Sequence, residues 1–199
     1  MSIMRPSAVM VGGPKIEWVA EVPPPLGRGA ARSRPEAPST STGGPPTQLD
    51  GQQIGLIGRN LLVVELVRDG LEVAIPVRDR GIDLIAYVDA LDEPDAIFVA
   101  RPIQLKARIE PAFEVWQKWG RLPGLLVVYL WHVGMPAVLV AYCLTYPEAL
   151  EIAQTMGWIK TPTWATKLHY RMNTPSARLR ELLEPHRMGP GKWRAKVLG

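Results

Sequence analysis

Residues 65–86 read ELVRDGLEVAIPVRDRGIDLIA, and residues 97–106 read IFVARPIQLK. Upstream, Gln52–Arg68 is rich in apolar residues and free of Pro. Asp50 stands where an N-cap belongs and Gly70 where a C′ glycine belongs, so a helix is predicted from about Asp50 to Arg68. Its apolar residues, among them Ile54, Leu56, Leu62, Val64, Leu66 and Val67, wrap most of the circumference, which predicts a largely buried helix. Glu65 lies within that surface. An ionised carboxylate there needs a partner, either the nearby Arg68 or a cation.

Beyond Gly70 the period falls to two. Leu71–Val77 is predicted as a strand, Arg78–Gly81 as a charged turn and Ile82–Val88 as a second strand. Alternation puts Ile82, Leu84, Ala86 and Val88 on one face, and Asp83, Ile85 and Tyr87 on the other. Asp89–Asp95, with Pro94, reads as a hairpin loop. Ala96–Ala107 is the third strand, and its Pro102 argues for an edge position or a bulge. Gln104 and Lys106 share one of its faces; Ile103 and Leu105 share the other. With coincident faces, Asp83, Gln104 and Lys106 converge, and Glu65 reaches them from a helix packed on the sheet. Oxygen donors suit Mg²⁺ or Mn²⁺. Such a cation polarises a phosphate and acidifies a bound water, and an adjacent lysine stabilises charge developing on phosphorus.

The rest of the chain frames this core. Residues 23–48 are rich in Pro, Gly, Ser and Thr, with almost no large apolar side chain, and are predicted to be disordered. Glu110-Pro111 is expected to open a helix with Ile109, Phe113 and Trp116 as its apolar stripe and Glu114–Lys118 as an i,i+4 pair. Leu125–Leu144 contains no Lys, Arg, Asp or Glu and matches a membrane span in length. His132-Val-Gly-Met-Pro136 interrupts it, so two strands and a turn are expected, with no membrane. Tyr146-Pro147 is expected to start a short helix, Glu148 to Met156, and Thr174-Pro175-Ser176 to cap another through Leu183. Gly189–Gly199 reads as a mobile basic tail. Cys143 lies in an apolar strand and reads as a core residue. The domains expected are an N-terminal arm (1–49), a core (50–159) and a basic extension with one short helix (160–199).

The net charge of +4 is unevenly spread. Residues 160–199 carry nine basic and two acidic side chains, against nine and thirteen in 51–159. A basic end on an acidic body points to a polyanion, with a solvated surface as the plainer reading. Lys160, Lys167, Arg171, Arg178, Arg180, Lys192 and Arg194 are the candidate phosphate contacts. Trp164, Tyr170 and Trp193 either stack on bases or pack internally. A single cysteine excludes an intrachain disulfide and a Cys-based zinc site. No secretory signal is read at the N-terminus, which makes a cytoplasmic location the expectation.

The order of these motifs resembles the PD-(D/E)XK nuclease superfamily, the fold of restriction endonucleases and Holliday-junction resolvases. The resemblance covers roughly residues 51–145. It implies an α/β fold with a restriction-endonuclease-like αβββαβ core, a mixed central sheet flanked by helices. Asp83, in Gly81-Ile-Asp-Leu84, matches the first motif, and Gln104-Leu-Lys106 occupies the acid-x-lysine motif. Glu65 corresponds to the helix acid of many members. The family would assign metal binding to Asp83, Gln104, Glu65 and the Leu105 main-chain carbonyl, and catalysis to these side chains with Lys106. It implies a Mg²⁺- or Mn²⁺-dependent nuclease acting on DNA, and two-strand cleavage by this fold favours a homodimer. Gln104 departs from the pattern: it keeps an oxygen but lacks the charge. That leaves a catalytically inactive nucleic-acid-binding module as the alternative.

Overall fold

The computed structural model describes residues 49–78, 80–88 and 98–199. The expected N-terminal arm, apart from Leu49, and the expected hairpin loop at 89–95 lie outside these residues. Helix α1 spans Gly51–Arg68. Its N-cap, Asp50, accepts the Gln52 and Gln53 amides at 2.8 and 2.9 Å, and the Gln53 side chain accepts the Asp50 amide in return. Contrary to expectation, only one side of α1 is covered: Gly58, Leu62 and Leu66 are buried, while Leu56, Val64 and Val67 are exposed. Wrapping of apolar residues round a helix reports composition; the single sheet face beneath α1 sets how much of it is buried.

Six strands form a mixed sheet: β1 (Glu72–Ala74), β2 (Leu84–Tyr87), β3 (Ala100–Ala107), β5 (Leu126–Trp131), β6 (Val140–Thr145) and β8 (Arg187–Met188). They lie side by side in that order, all antiparallel except β3 and β5. β1 is shorter than predicted, and Ile75 and Val77 are exposed beyond it. Pro102 suggested an edge position or a bulge; β3 is central, which excludes the edge position. Ile103 turns its polar backbone toward β2, accepting the Asp83 amide. Pro102 therefore faces the β5 side, one residue before that ladder begins at Ile103↔Leu126. Its missing N–H costs no ladder bond.

Two apolar layers sandwich the sheet. Against one face, α1 brings Leu62 and Leu66 onto Leu84, Ala86, Ile103 and Val128. A Cβ on Gly58 would stand 2.4 Å from that of Ala107, so glycine is what lets the helix approach β3. The other face packs Val127, Tyr129, Trp131 and Leu144 against Phe113, Val115, Trp158 and Leu179. Both faces of β5 are thus covered and all six of its residues are buried. The expected strand–turn–strand over 125–144 is present, and no helix among the described residues is long and apolar enough to cross a membrane. Helix α2 (Tyr146–Thr155) has Thr145 and Glu148 as a capping box.

The segment after Glu110 is not a helix. Phe113–Trp116 is strand β4, followed by a 3₁₀ turn, Gln117–Arg121. β4 pairs antiparallel with β7 (His169–Met172). Two buried donors on β5 pin it in extended form: Tyr129 Oη donates to the Glu114 carbonyl at 2.6 Å, and Trp131 Nε1 to that of Ala112 at 2.8 Å.

Residues 160–199 are an integral part of this fold, not an extension. They hold helices α3 (Pro162–Lys167), α4 (Ala177–Leu183) and α5 (Trp193–Leu198) besides β7 and β8. The expected mobile tail docks through Trp193 and Val197, both buried beside α1. Asp69, at the C-terminus of α1, accepts the Gly191 and Trp193 amides at 2.8 Å each. Arg194 donates to the Gly70 carbonyl, and Lys196 meets Glu148 at 2.8 Å. Composition suggested mobility because the partners of these basic residues lie far away in sequence.

Two outcomes are expected. Trp193→Ala should cost roughly 3–5 kcal/mol in urea unfolding, as for other large core truncations. Burial pushes the Glu148 carboxyl up, but Lys196 and the Thr145 hydrogen bonds outweigh it and hold the group below its usual range. A depressed carboxyl contributes stability above its unfolded pKa and loses it as pH falls through the folded value. The gap in melting temperature between the wild type and Lys196→Met should therefore be present at neutral pH and close on acidification below about pH 4.

Candidate active site at the divergence of β2 and β3

The ladder between β2 and β3 ends at Leu84↔Ile103, with one further bond from the Asp83 amide to the Ile103 carbonyl at 2.8 Å. The next β3 residue to face this edge is Leu105. Its amide finds no strand and donates instead to Asp83 Oδ2 at 2.6 Å. The Gln104 side-chain amide donates to the same oxygen. Asp83 is thereby fixed at the fork, half-buried, and among the described residues no hydrogen bond reaches its Oδ1. By strand alternation the Leu105 carbonyl faces the same open edge as its amide. Gln104 is buried, and its Oε1 lies 3.7 Å from where a Cβ on Gly81 would stand. Gly81 itself has a left-handed φ of 92°.

Lys106 projects from the same face of β3 as Gln104. Its Nζ lies 3.1 Å from Glu114 Oε1 and 5.7 Å from the centre of the Trp119 ring. Glu114 is only 6% exposed. Burial, and then the Glu114 charge, pushes the neighbouring Tyr129 hydroxyl well up, so Tyr129 stays protonated as a donor. Sequence reasoning missed Glu114 by placing it on a solvated helix face beside Lys118. The signal was available: Phe-Glu-Val-Trp alternates with period two and is aromatic and β-branched.

Asp83 and Gln104 meet at the fork, and Lys106 stands two residues along β3 on the Gln104 face with its ammonium on Glu114; Glu65 is not among them. Helix α1 covers the Leu84/Ile103 face, opposite to Asp83, Gln104 and Lys106. Glu65 pairs with Arg68 at 3.2 Å and borders a cavity with Leu61, Leu130, Val140 and Trp193. Among the described residues no three His, Cys, Asp or Glu side chains gather where they could share a metal ion. The oxygens that a hard cation could take at the fork are Asp83 Oδ1, the Leu105 carbonyl and, after rotation of its amide, Gln104 Oε1.

The basic candidates divide. Lys192 and Arg194 are engaged in docking the C-terminus, donating to main-chain carbonyls of Arg187 and Gly70. Arg180 donates to the Pro175 carbonyl, and exposed Arg178 lies 4.0 Å from Glu181. Lys160, Lys167 and Arg171 are exposed, Arg171 opposite Glu114 in the β4–β7 register. The aromatic candidates are packing residues: Trp164 and Trp193 are buried, and Tyr170 stacks on Trp158 at 4.6 Å. Cys143 is buried as expected, and burial pushes its thiol up to about 12. No protein-family model, curated protein or solved structure matches this chain.

Removing Lys106 alone leaves the buried Glu114 carboxylate without its counter-charge. Lys106→Met should cost roughly 3–5 kcal/mol, and Lys106→Met with Glu114→Leu should recover most of that loss. A double-mutant cycle in urea reads the coupling directly.

Proposed function

We propose that this protein is a divalent-metal-dependent nuclease hydrolysing phosphodiester bonds in DNA, on a core of the PD-(D/E)XK type. One observation carries the reading: the Asp83 carboxylate is seated at the fork of β2 and β3 by the Leu105 amide and Gln104 side chain, with Lys106 next along the same face. The order α1-β1-β2-β3, followed by a crossover to a parallel β5, supports it. The crossover departs from the family plan, since β4 and a 3₁₀ turn stand where its helix would be.

The donor set fits Mg²⁺ or Mn²⁺, which keep several waters and need only one or two carboxylates. Asp83 Oδ1, the Leu105 carbonyl and Gln104 Oε1 would hold the ion; Glu65 takes no part. When bound, the ion supplies an acidified water and polarises the phosphate. Asp83 anchors the site through its second oxygen. Lys106, kept in place by Glu114, presents positive charge to the phosphate oxygens as negative charge builds on them. Gln104 must turn its amide to ligate, because only its NH₂ can face an ionised Asp83.

A nucleic-acid-binding module without cleavage is the second reading. It is favoured by the same Gln104 bond, which occupies Asp83 Oδ2 with no cation. Supercoiled plasmid with Mg²⁺ or Mn²⁺ separates the two. Nicking that disappears with chelator, and falls by about 100-fold or more in Asp83→Asn and in Lys106→Met/Glu114→Leu, is the expected result. Retained DNA binding without nicking in the wild type supports the second reading. Absence of both binding and nicking sinks both.

A further inference from the structure

The β4–β7 ribbon has two unlike faces. Phe113 and Val115, with Tyr170 and Met172, turn into the core. The cross-strand pairs Glu114↔Arg171 and Trp116↔His169 form the other face. Glu114 on this face reaches Lys106, so the face begins at the candidate active site. Two residues along β4, about 7 Å further, comes Trp116. Its ring stacks on His169 with centroids 4.0 Å apart. The chain then enters the 3₁₀ turn Gln117–Arg121, whose Lys118 ammonium stands 4.7 Å from the Trp116 ring centre. The end of α3 closes the other side. Leu168 adopts a left-handed φ of 57°, and its carbonyl accepts the Gln117 amide at 2.9 Å. Between these elements lies a cleft of about 320 Å³ lined by Lys118, Arg121, Lys167, Trp116, Gln117 and Leu168.

Among the described residues no acid lines this cleft. Lys118, Arg121 and Lys167 are exposed, and among the described residues none of the three has a carboxylate within ion-pair distance. Elsewhere Lys196, Arg187 and Arg68 each have one. Three cations left unneutralised around one concavity, on a chain whose central part is acidic, mark a place where a polyanion gains. The Trp116 ring is already engaged by His169 and Lys118, so it stiffens the cleft wall rather than offering a stacking platform.

We infer that exposed Arg171 on β7, beside the buried Glu114, and the adjoining 117–121 turn form a track for the phosphate backbone of DNA, leading to Lys106. Lys118, Arg121 and Lys167 contact phosphates, and Arg171 bridges them to the active site. The inference rests on the nucleic-acid reading above but not on cleavage.

The test uses the full chain carrying Asp83→Asn, a fluorescein-labelled DNA duplex, and anisotropy between about 50 and 200 mM salt. Lys118→Glu/Arg121→Glu/Lys167→Glu is compared with a control double, Arg68→Gln/Arg187→Gln, whose cations are already paired with Glu65 and Glu184. The track triple is expected to lower the log–log salt slope by about 2–3, near one per lost contact, and the control by less than about 1. If circular dichroism shows the track triple unfolded, the Lys118→Gln/Arg121→Gln/Lys167→Gln protein is read instead, with the same loss expected. Binding with an unchanged slope in the track triple overturns the track and leaves the nucleic-acid reading standing. No DNA binding by the parent overturns both. Tighter binding to phosphatidylserine vesicles than to DNA overturns the assignment of partner.

Discussion

The parallel pairing of β3 with β5 is the constraint from which the rest of the architecture follows. Parallel neighbours cannot be joined by a tight hairpin, so residues 108–125 must leave the sheet and return across one of its faces. That excursion carries β4. A short strand lifted off the main sheet has unpaired backbone groups along an edge, and β7 supplies them with partners from much later in the chain. The last forty residues therefore belong to the domain. Their β7 completes the layer over one face, while α5 completes the layer on the other with Trp193 and Val197.

The same excursion shapes the chemistry. Lys106 points into the space that β4 crosses, and there it meets a buried carboxylate. An ion pair this enclosed contributes little net stability over an apolar replacement, since desolvation offsets most of the attraction. At the fork itself, a single carboxylate oxygen replaces a missing strand: the Leu105 amide, left without a ladder partner where β2 turns away, donates to Asp83. One side chain thus satisfies the backbone and is itself held rigid.

Much of this was legible locally. Asp50 and Gly70 marked the ends of α1 because a cap needs a specific residue at a specific place. The alternation of Ile82-Asp-Leu-Ile-Ala placed Asp83 on the face away from Leu84, and Gln104 and Lys106 away from Ile103. Misreadings arose where a distant partner decides. Glu114 was assigned to a helix because Glu110-Pro111 resembles a helix start, while the hydrogen bonds that extend it come from Tyr129 and Trp131. Glu65 drew attention as an acid among apolar residues, yet its side of α1 borders a cavity on the opposite face of the sheet. Trp193 looked like part of a tail because its pocket is built from α1.

The sequence by itself determined the α/β class, the strand alternation around Asp83, Gln104 and Lys106, the caps of α1 and α4, and the burial of Cys143. These follow from residues within a few positions of one another, whose spacing matches a backbone period. Only the tertiary structure decided that β3 is central, that β4 and β7 form a ribbon, that Glu114 and not Glu65 stands beside Lys106, and that the C-terminus is core. Each of those depends on contacts between segments far apart in the chain, and burial by a distant segment leaves no local period for the sequence to display.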